Sequence, residues 1–92
     1  MFQKTFKALN DPVRRQILEL LKNGKKMTAG DIASHFDMTQ ATVSYHLSIL
    51  KKADLLREEK VKNYIYHTLN ASIFEELIMW FSQFGGSYES EK

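Results

Sequence analysis

The 92-residue chain contains no cysteine. That excludes a disulfide framework, a thiolate metal site and a cysteine nucleophile, so the fold does not depend on an oxidising compartment. Proline occurs once and glycine four times. So few breakers leave little loop machinery for a catalytic site. No glycine-rich phosphate loop is present, and no serine, histidine and acid fall in a recognised order, so an enzyme is not expected. No apolar run reaches the ~18 residues of a membrane span. The N-terminal MFQKTFKALNDPVRR has no apolar stretch of signal-peptide length. The expectation is a cytoplasmic protein without membrane insertion. A chain of this size forms one domain, which buries roughly 60 to 68% of its unfolded surface and has no room for a deep substrate cavity.

Acidic residues are also unevenly missing. Residues 1–69 carry 12 basic and 7 acidic side chains, a net +5. Residues 70–92 carry 1 and 4, a net −3, which gives the overall +2. A basic front suggests an anionic partner. From Met38 to Ala53 there is no Asp or Glu at all.

The periodicities predict mainly α structure with one β-hairpin. Residues 2–9 read as a short helix with Phe2, Phe6 and Leu9 on one stripe. Asn10-Asp11-Pro12 breaks it, with Asp11 as cap and Pro12 as first residue of the next helix. That helix carries Val13, Ile17, Leu20 and Leu21 at helical spacing and stops at Asn23-Gly24. Thr28 and Asp31 have capping-box spacing before a helix of about two and a half turns, with Ile32, Ala33 and Phe36 inside. Thr39 caps a fourth helix whose Val43, Leu47 and Leu50 point inward, ending near Ala53-Asp54. Leu55 to Lys60 alternate as a weak strand. Residues 60–63 form a polar turn, and Tyr64 to Leu69 are a stronger strand. Asn70 caps a last helix that ends at Gly85-Gly86, and residues 87–92 are expected to fray.

Residues 28–53 are thus two short helices joined by a tight turn, a helix-turn-helix pattern, with a hairpin over 55–69. With Val43, Leu47 and Leu50 facing in, the fourth helix presents Ala41, Ser44, Tyr45, Ser48 and Lys52 outward. Gln40 and Lys51 flank one side; Thr42, His46 and Ile49 flank the other. Small, uncharged, hydrogen-bonding side chains suit close approach to base edges in a major groove. The competing reading is an ordinary solvated helix face. The caps at Thr28 and Thr39 stand at helix N-termini, where backbone N–H groups attract phosphate.

The run DPVRRQILELLKNGKKMTAGDIASHFDMTQATVSYHLSILKKADLL and the later NYIYHTLN resemble the ArsR family of winged-helix repressors over roughly residues 6–70. Within that family the likeness is greatest to the SdpR-type autorepressors, small members that repress their own operon. The resemblance implies a winged helix-turn-helix of about five helices and a two-stranded wing. It implies a homodimer on a palindromic double-stranded DNA operator, with the recognition helix in the major groove and the wing along the backbone. Transferred residue by residue, the base-reading candidates are Gln40, Thr42, Ser44 and Tyr45, while His46 holds a position that supports the helix. Phosphate contacts fall on Thr39, Lys51, Lys52, Arg57, Lys60 and Lys62, to which the helix N-terminus at Thr28 adds one more. One departure stands out: Glu58 and Glu59 lie on the wing strand, and Lys62 holds the place of a common tip glycine. A small wing contribution is therefore expected.

Metal-sensing relatives use thiolates at positions matching Thr28, Gly30 and Ala33, none of which is a ligand. A second family site uses Asp and His on the last helix, which here offers only Glu75 and Glu76, poor ligands for zinc. Asp31 and His35 at i, i+4 are expected to form a surface ion pair rather than a metal site. No metal and no cofactor are expected. The inducer, if there is one, is an unidentified protein or small molecule.

The last helix is apolar on more than one face. Ile73, Leu77, Trp80 and Phe84 form one stripe, and Phe74, Ile78 and Phe81 a second. Either the helix is deep in the core, or it forms a symmetric dimer interface with Phe2 and Phe6, which is the favoured reading. A different functional class, a protein-interaction module acting through this aromatic helix, is the alternative to a DNA-binding repressor.

Overall fold

A computed structural model describes residues 1–85; Gly86 and the expected frayed tail 87–92 lie outside the described residues. The order is α1 (Gln3–Leu9), α2 (Pro12–Leu20), α3 (Ala29–Ala33), α4 (Gln40–Lys52), β1 (Leu56–Val61), β2 (Tyr64–Leu69) and α5 (Ala71–Ser82). The expected winged helix-turn-helix, mainly α with a small hairpin, is the observed fold.

Local chemistry explains the boundaries. Asp11 Oδ1 accepts from the N–H groups of Val13 at 2.8 Å and Arg14 at 3.1 Å, closing the open end of α2. These donors, with the Arg14 charge, hold the Asp11 carboxyl below its usual range. At α3 the capping box closes in both directions, Asp31 N–H to Thr28 Oγ1 at 3.1 Å and Thr28 N–H to Asp31 Oδ2 at 3.2 Å. This helix is shorter than expected. After Ala33 the chain tightens into bonds from His35 N–H to Ile32 and from Phe36 N–H to Ala33. The Ser34 hydroxyl takes the Asp31 carbonyl at 2.6 Å, competing with the helical ladder.

The end of α4 is a Schellman motif. Asp54 N–H bonds the Lys51 carbonyl at 2.9 Å, and Leu55 N–H bonds that of Leu50 at 3.0 Å. Asp54 sits in the left-handed region at φ 63°, a place glycine usually holds. Leu50 and Leu55 are fully buried beneath it.

Ile17, Leu21, Ile32, Val43, Leu50 and Leu55 form the centre of the core, so α2, α3 and α4 share one apolar interior. Each such side chain contributes roughly 1.5–3 kcal/mol through removal from water. The hairpin is antiparallel, from Leu56 opposite Leu69 to Val61 opposite Tyr64. Strand β1 therefore runs one residue beyond the expected end, and the turn is only Lys62-Asn63. Lys62 takes φ 57° at the position glycine holds in one of the favoured two-residue turns. A backbone bridge between Met27 and His67, with bonds of 3.1 and 2.7 Å, ties the segment before α3 to the hairpin.

Candidate nucleic-acid interface

The three buried residues of α4, Val43, Leu47 and Leu50, seat one side of the helix on the core. That leaves Gln40, Ala41, Thr42, Ser44, Tyr45, Ser48, Lys51 and Lys52 exposed. All four base-reading candidates, Gln40, Thr42, Ser44 and Tyr45, are on this face, and Tyr45 is 61% exposed. The N-terminus of α4 is well formed: Thr39 Oγ1 accepts the Thr42 N–H at 3.1 Å and bonds the Thr42 hydroxyl at 3.0 Å. No acid lies in the first turn, and Lys51 and Lys52 lie in the last. The positive end of the helix is thus not cancelled by a side chain.

The hairpin stands beside α4 across an open cleft of about 880 Å³. Gln40, Ser44, Ser48 and Lys51 line one wall; Glu58, Ile65 and His67 line the other. Cross-strand pairing puts Glu58 opposite His67 and Lys60 opposite Ile65, so these four share the face turned to α4. Arg57 is on the opposite face, and its Nε donates to Asn70 Oδ1 at 3.1 Å. Among the expected phosphate contacts, Arg57 is therefore tied to the cap of α5 instead of facing the cleft.

Three further expectations need correction. At Thr28 the backbone N–H already meets the Asp31 carboxylate, which holds the place expected for a phosphate. Asp31 and His35 form no ion pair among the described residues, whose ion pairs are Arg14–Asp11, Lys26–Glu59 and Lys51–Glu58. Lys51 Nζ meets Glu58 Oε1 at 2.8 Å, so this lysine is shared with the wing. Glu59 is paired in turn with Lys26 Nζ at 2.6 Å. Both wing carboxylates thus have a lysine partner, and the wing is less acidic in effect than its sequence. No local pattern marks Lys26, because its partner is 33 residues away. Thr39, Lys52, Lys60 and Lys62 are exposed as expected.

His67 lies at the base of the cleft, only 6% exposed, with no hydrogen-bond partner for Nδ1 among the described residues. Burial pushes its pKa below the usual 6.5, Glu58 opposes that shift and Lys51 adds to it.

The other end of the molecule is apolar. Phe2, Phe6, Trp80, Phe81 and Phe84 form an aromatic cluster with ring centroids 5.0 to 6.1 Å apart in mostly edge-on pairs. The two expected stripes of α5 divide differently from the expectation. Leu77 is 5% exposed and belongs to the chain's own core, so it is not available to a partner. Ile73 and Phe74 pack partly against that core. The exposed surface is Phe6, Ile78, Met79, Phe81 and Phe84. Met79, 72% exposed, was not among the expected interface residues.

A sequence profile for bacterial regulatory proteins of the arsR family matches residues 11–58, the stretch from the cap of α2 to the start of the wing. The chain belongs to the ArsR family. Among curated relatives, it is 46% identical to the transcriptional repressor SdpR of Bacillus subtilis over 79 residues, covering 86% of this chain and 87% of that protein. It is 39% identical to the arsenical resistance operon repressor of the same organism over 70 residues, 75% of this chain and 66% of that one. A crystal structure of a possible transcriptional regulator for arsenical resistance superposes with TM-score 0.74 at 28% identity, covering 85% of this chain and 80% of that one. An ArsR-like regulator from Rhodococcus sp. RHA1 shares the fold with TM-score 0.81 at 20% identity, over 98% and 84% of the two chains. This ArsR-family chain is a DNA-binding transcriptional repressor with a winged helix-turn-helix, and its relatives are regulators rather than enzymes. No helix among the described residues is long and apolar enough to cross a membrane.

Proposed function

We propose that this chain is a cytoplasmic repressor that binds a palindromic operator as a homodimer, controls its own operon, and does so without a metal-sensing site. The observation that carries the reading is the acid-free outer face of α4, where Gln40, Ser44 and Tyr45 stand exposed over a fully seated apolar side. In a major groove, Gln40 supplies paired amide groups for an adenine edge, the hydroxyls serve either partner, and the Tyr45 ring supplies apolar contact. The helix N-terminus capped by Thr39 offers its amides to one phosphate, Lys52, Lys60 and Lys62 neutralise others, and Lys51 joins them when it exchanges Glu58 for DNA.

Dimerisation uses the aromatic end. Phe6, Ile78, Met79, Phe81 and Phe84, extended by Trp80 and Phe2, form a self-complementary patch. Aromatic side chains bury ~150–250 Å² each, so the patch suffices for the ~1,000 Å² of a stable interface. Two copies place their α4 helices about one DNA turn (~34 Å) apart. The absence of sensing rests on the residues themselves: Thr28, Gly30 and Ala33 offer no ligand, and α5 offers only Glu75 and Glu76. Any inducer is then an unidentified protein or small molecule. The test is selection of duplexes from a random pool, paired with sedimentation of the free protein. Enrichment of an inverted repeat by a dimer supports the reading; a monomer that enriches nothing contradicts it.

A further inference from the structure

Two arginines of α2 grip the end of α1. Arg14 Nε donates to the Ala8 carbonyl at 2.7 Å, and Arg15 donates to that of Leu9 at 2.6 Å. Arg14 also reaches a third element. Its outer nitrogen lies 3.3 Å from His46 Nδ1 on α4 and 3.8 Å from Asp11 Oδ2. The Arg14 side chain is only 12% exposed, so it holds a fixed path through the junction of the three helices.

A guanidinium has only donors, so this contact uses His46 Nδ1 as the acceptor. The His46 ring lies edge-on to that of Tyr45, with centroids 5.4 Å apart. One unbroken series of contacts thus runs from α1, which carries Phe6 of the aromatic patch, through Arg14 and His46 to the middle of the helix that meets DNA.

We infer that Arg14 and His46 are a positioning pair that sets the rotation of α4 and the placement of Tyr45, and so the selectivity of DNA binding. This rests on the DNA-reading role proposed above. Val43, Leu47 and Leu50 seat α4 in the core, and a directional hydrogen bond at its flank adds a restraint on its rotation that is independent of that packing. A 20° rotation moves the outer rim of a helix, at a radius of ~6 Å, by about 2 Å. That is enough to lose hydrogen bonds to base edges while phosphate contacts, made by long flexible lysines, persist.

The experiment compares two duplexes of equal length, one selected from a random pool by the wild-type protein and one unselected. His46→Leu is expected to bind the selected duplex roughly tenfold more weakly, the loss of a charge-assisted hydrogen bond. Affinity for the unselected duplex and the salt slope should stay unchanged. His46→Asn, whose amide oxygen replaces Nδ1, should restore most of the loss. Arg14→Met should lose as much as His46→Leu, and the double variant little more. Arg14→Lys, which lacks the fork, serves the same comparison if Arg14→Met does not fold. Equal losses on both duplexes, additive effects of the two residues, or no rescue by Asn would overturn the inference. Wild-type protein that selects no duplex at all would instead defeat the DNA-reading role beneath it.

Discussion

Glu58→Gln should make the repressor bind DNA more tightly. Glu58 Oε1 lies 2.8 Å from Lys51 Nζ, the lysine at the end of α4 nearest the wing. When Lys51 also meets a phosphate, two anions flank one ammonium. Two contacts of ~2.8 Å at a roughly tetrahedral angle leave them about 4.5 Å apart, a repulsion of about 1 kcal/mol in a water-like dielectric. A dimer contains the arrangement twice, so removal of the charge is worth about 2 kcal/mol, or roughly 30-fold in affinity at low salt. The freed lysine should steepen the salt dependence by about 0.9 for each phosphate contact completed. Folding stability should fall by no more than about 1 kcal/mol, since the pair is exposed. Fluorescence anisotropy on a labelled operator duplex across a salt series reads both quantities. Unchanged affinity with an unchanged slope would refute the reasoning, because Lys51 would then touch no phosphate.

Asp54→Gly should stabilise the fold by about 0.5–1 kcal/mol, because the left-handed position costs a side chain more than glycine loses in chain entropy. A thermal melt should rise by roughly 2–8 °C, and a lower melting point would show that the Asp54 side chain contributes more than its strain costs. His67 binds its proton less readily in the folded chain than in the unfolded one. Its part in stability is therefore complete above the usual 6.5 and is lost as pH falls below that value, a slope that urea titrations should find absent in His67→Gln. Phe81→Glu places a charge in the exposed aromatic patch, so sedimentation should report a monomer with weakened operator binding and an intact circular dichroism spectrum; a dimer that persists would move the interface elsewhere.

Local chemistry was legible in the sequence, and long-range pairing was not. The inward stripe of α4, the caps at Asp11, Thr28, Thr39 and Asn70, and the change of period at the hairpin are short-range signals, and each recurs in the structure. The length of α3 was misjudged because the spacing of Ile32, Ala33 and Phe36 fits tightened turns as well as an α-helix. The wing turn is tighter than expected because a polar run of four residues does not mark where the strands end, even though Lys62 holds the place of a common tip glycine. The phosphate set at Lys51 and Arg57 follows from the family resemblance, which does not carry their partners here: Glu58 and Asn70 are fixed by strand register and by the start of α5. The Arg14–His46 contact spans 32 residues and has no local periodicity to announce it. Leu77 could be separated from its neighbours on α5 only once the packing of that helix on the core was known.

The central claim is that the outer face of α4 reads bases from the major groove, in two copies. Methylation interference on a selected duplex tests this most directly, because guanine N7 lies in the major groove and adenine N3 in the minor. Interference at N7 in two patches about one helical turn apart, with the preferred bases shifting in Gln40→Ala protein, is the predicted result. Interference confined to adenine N3, or a single patch indifferent to Gln40, would contradict the account.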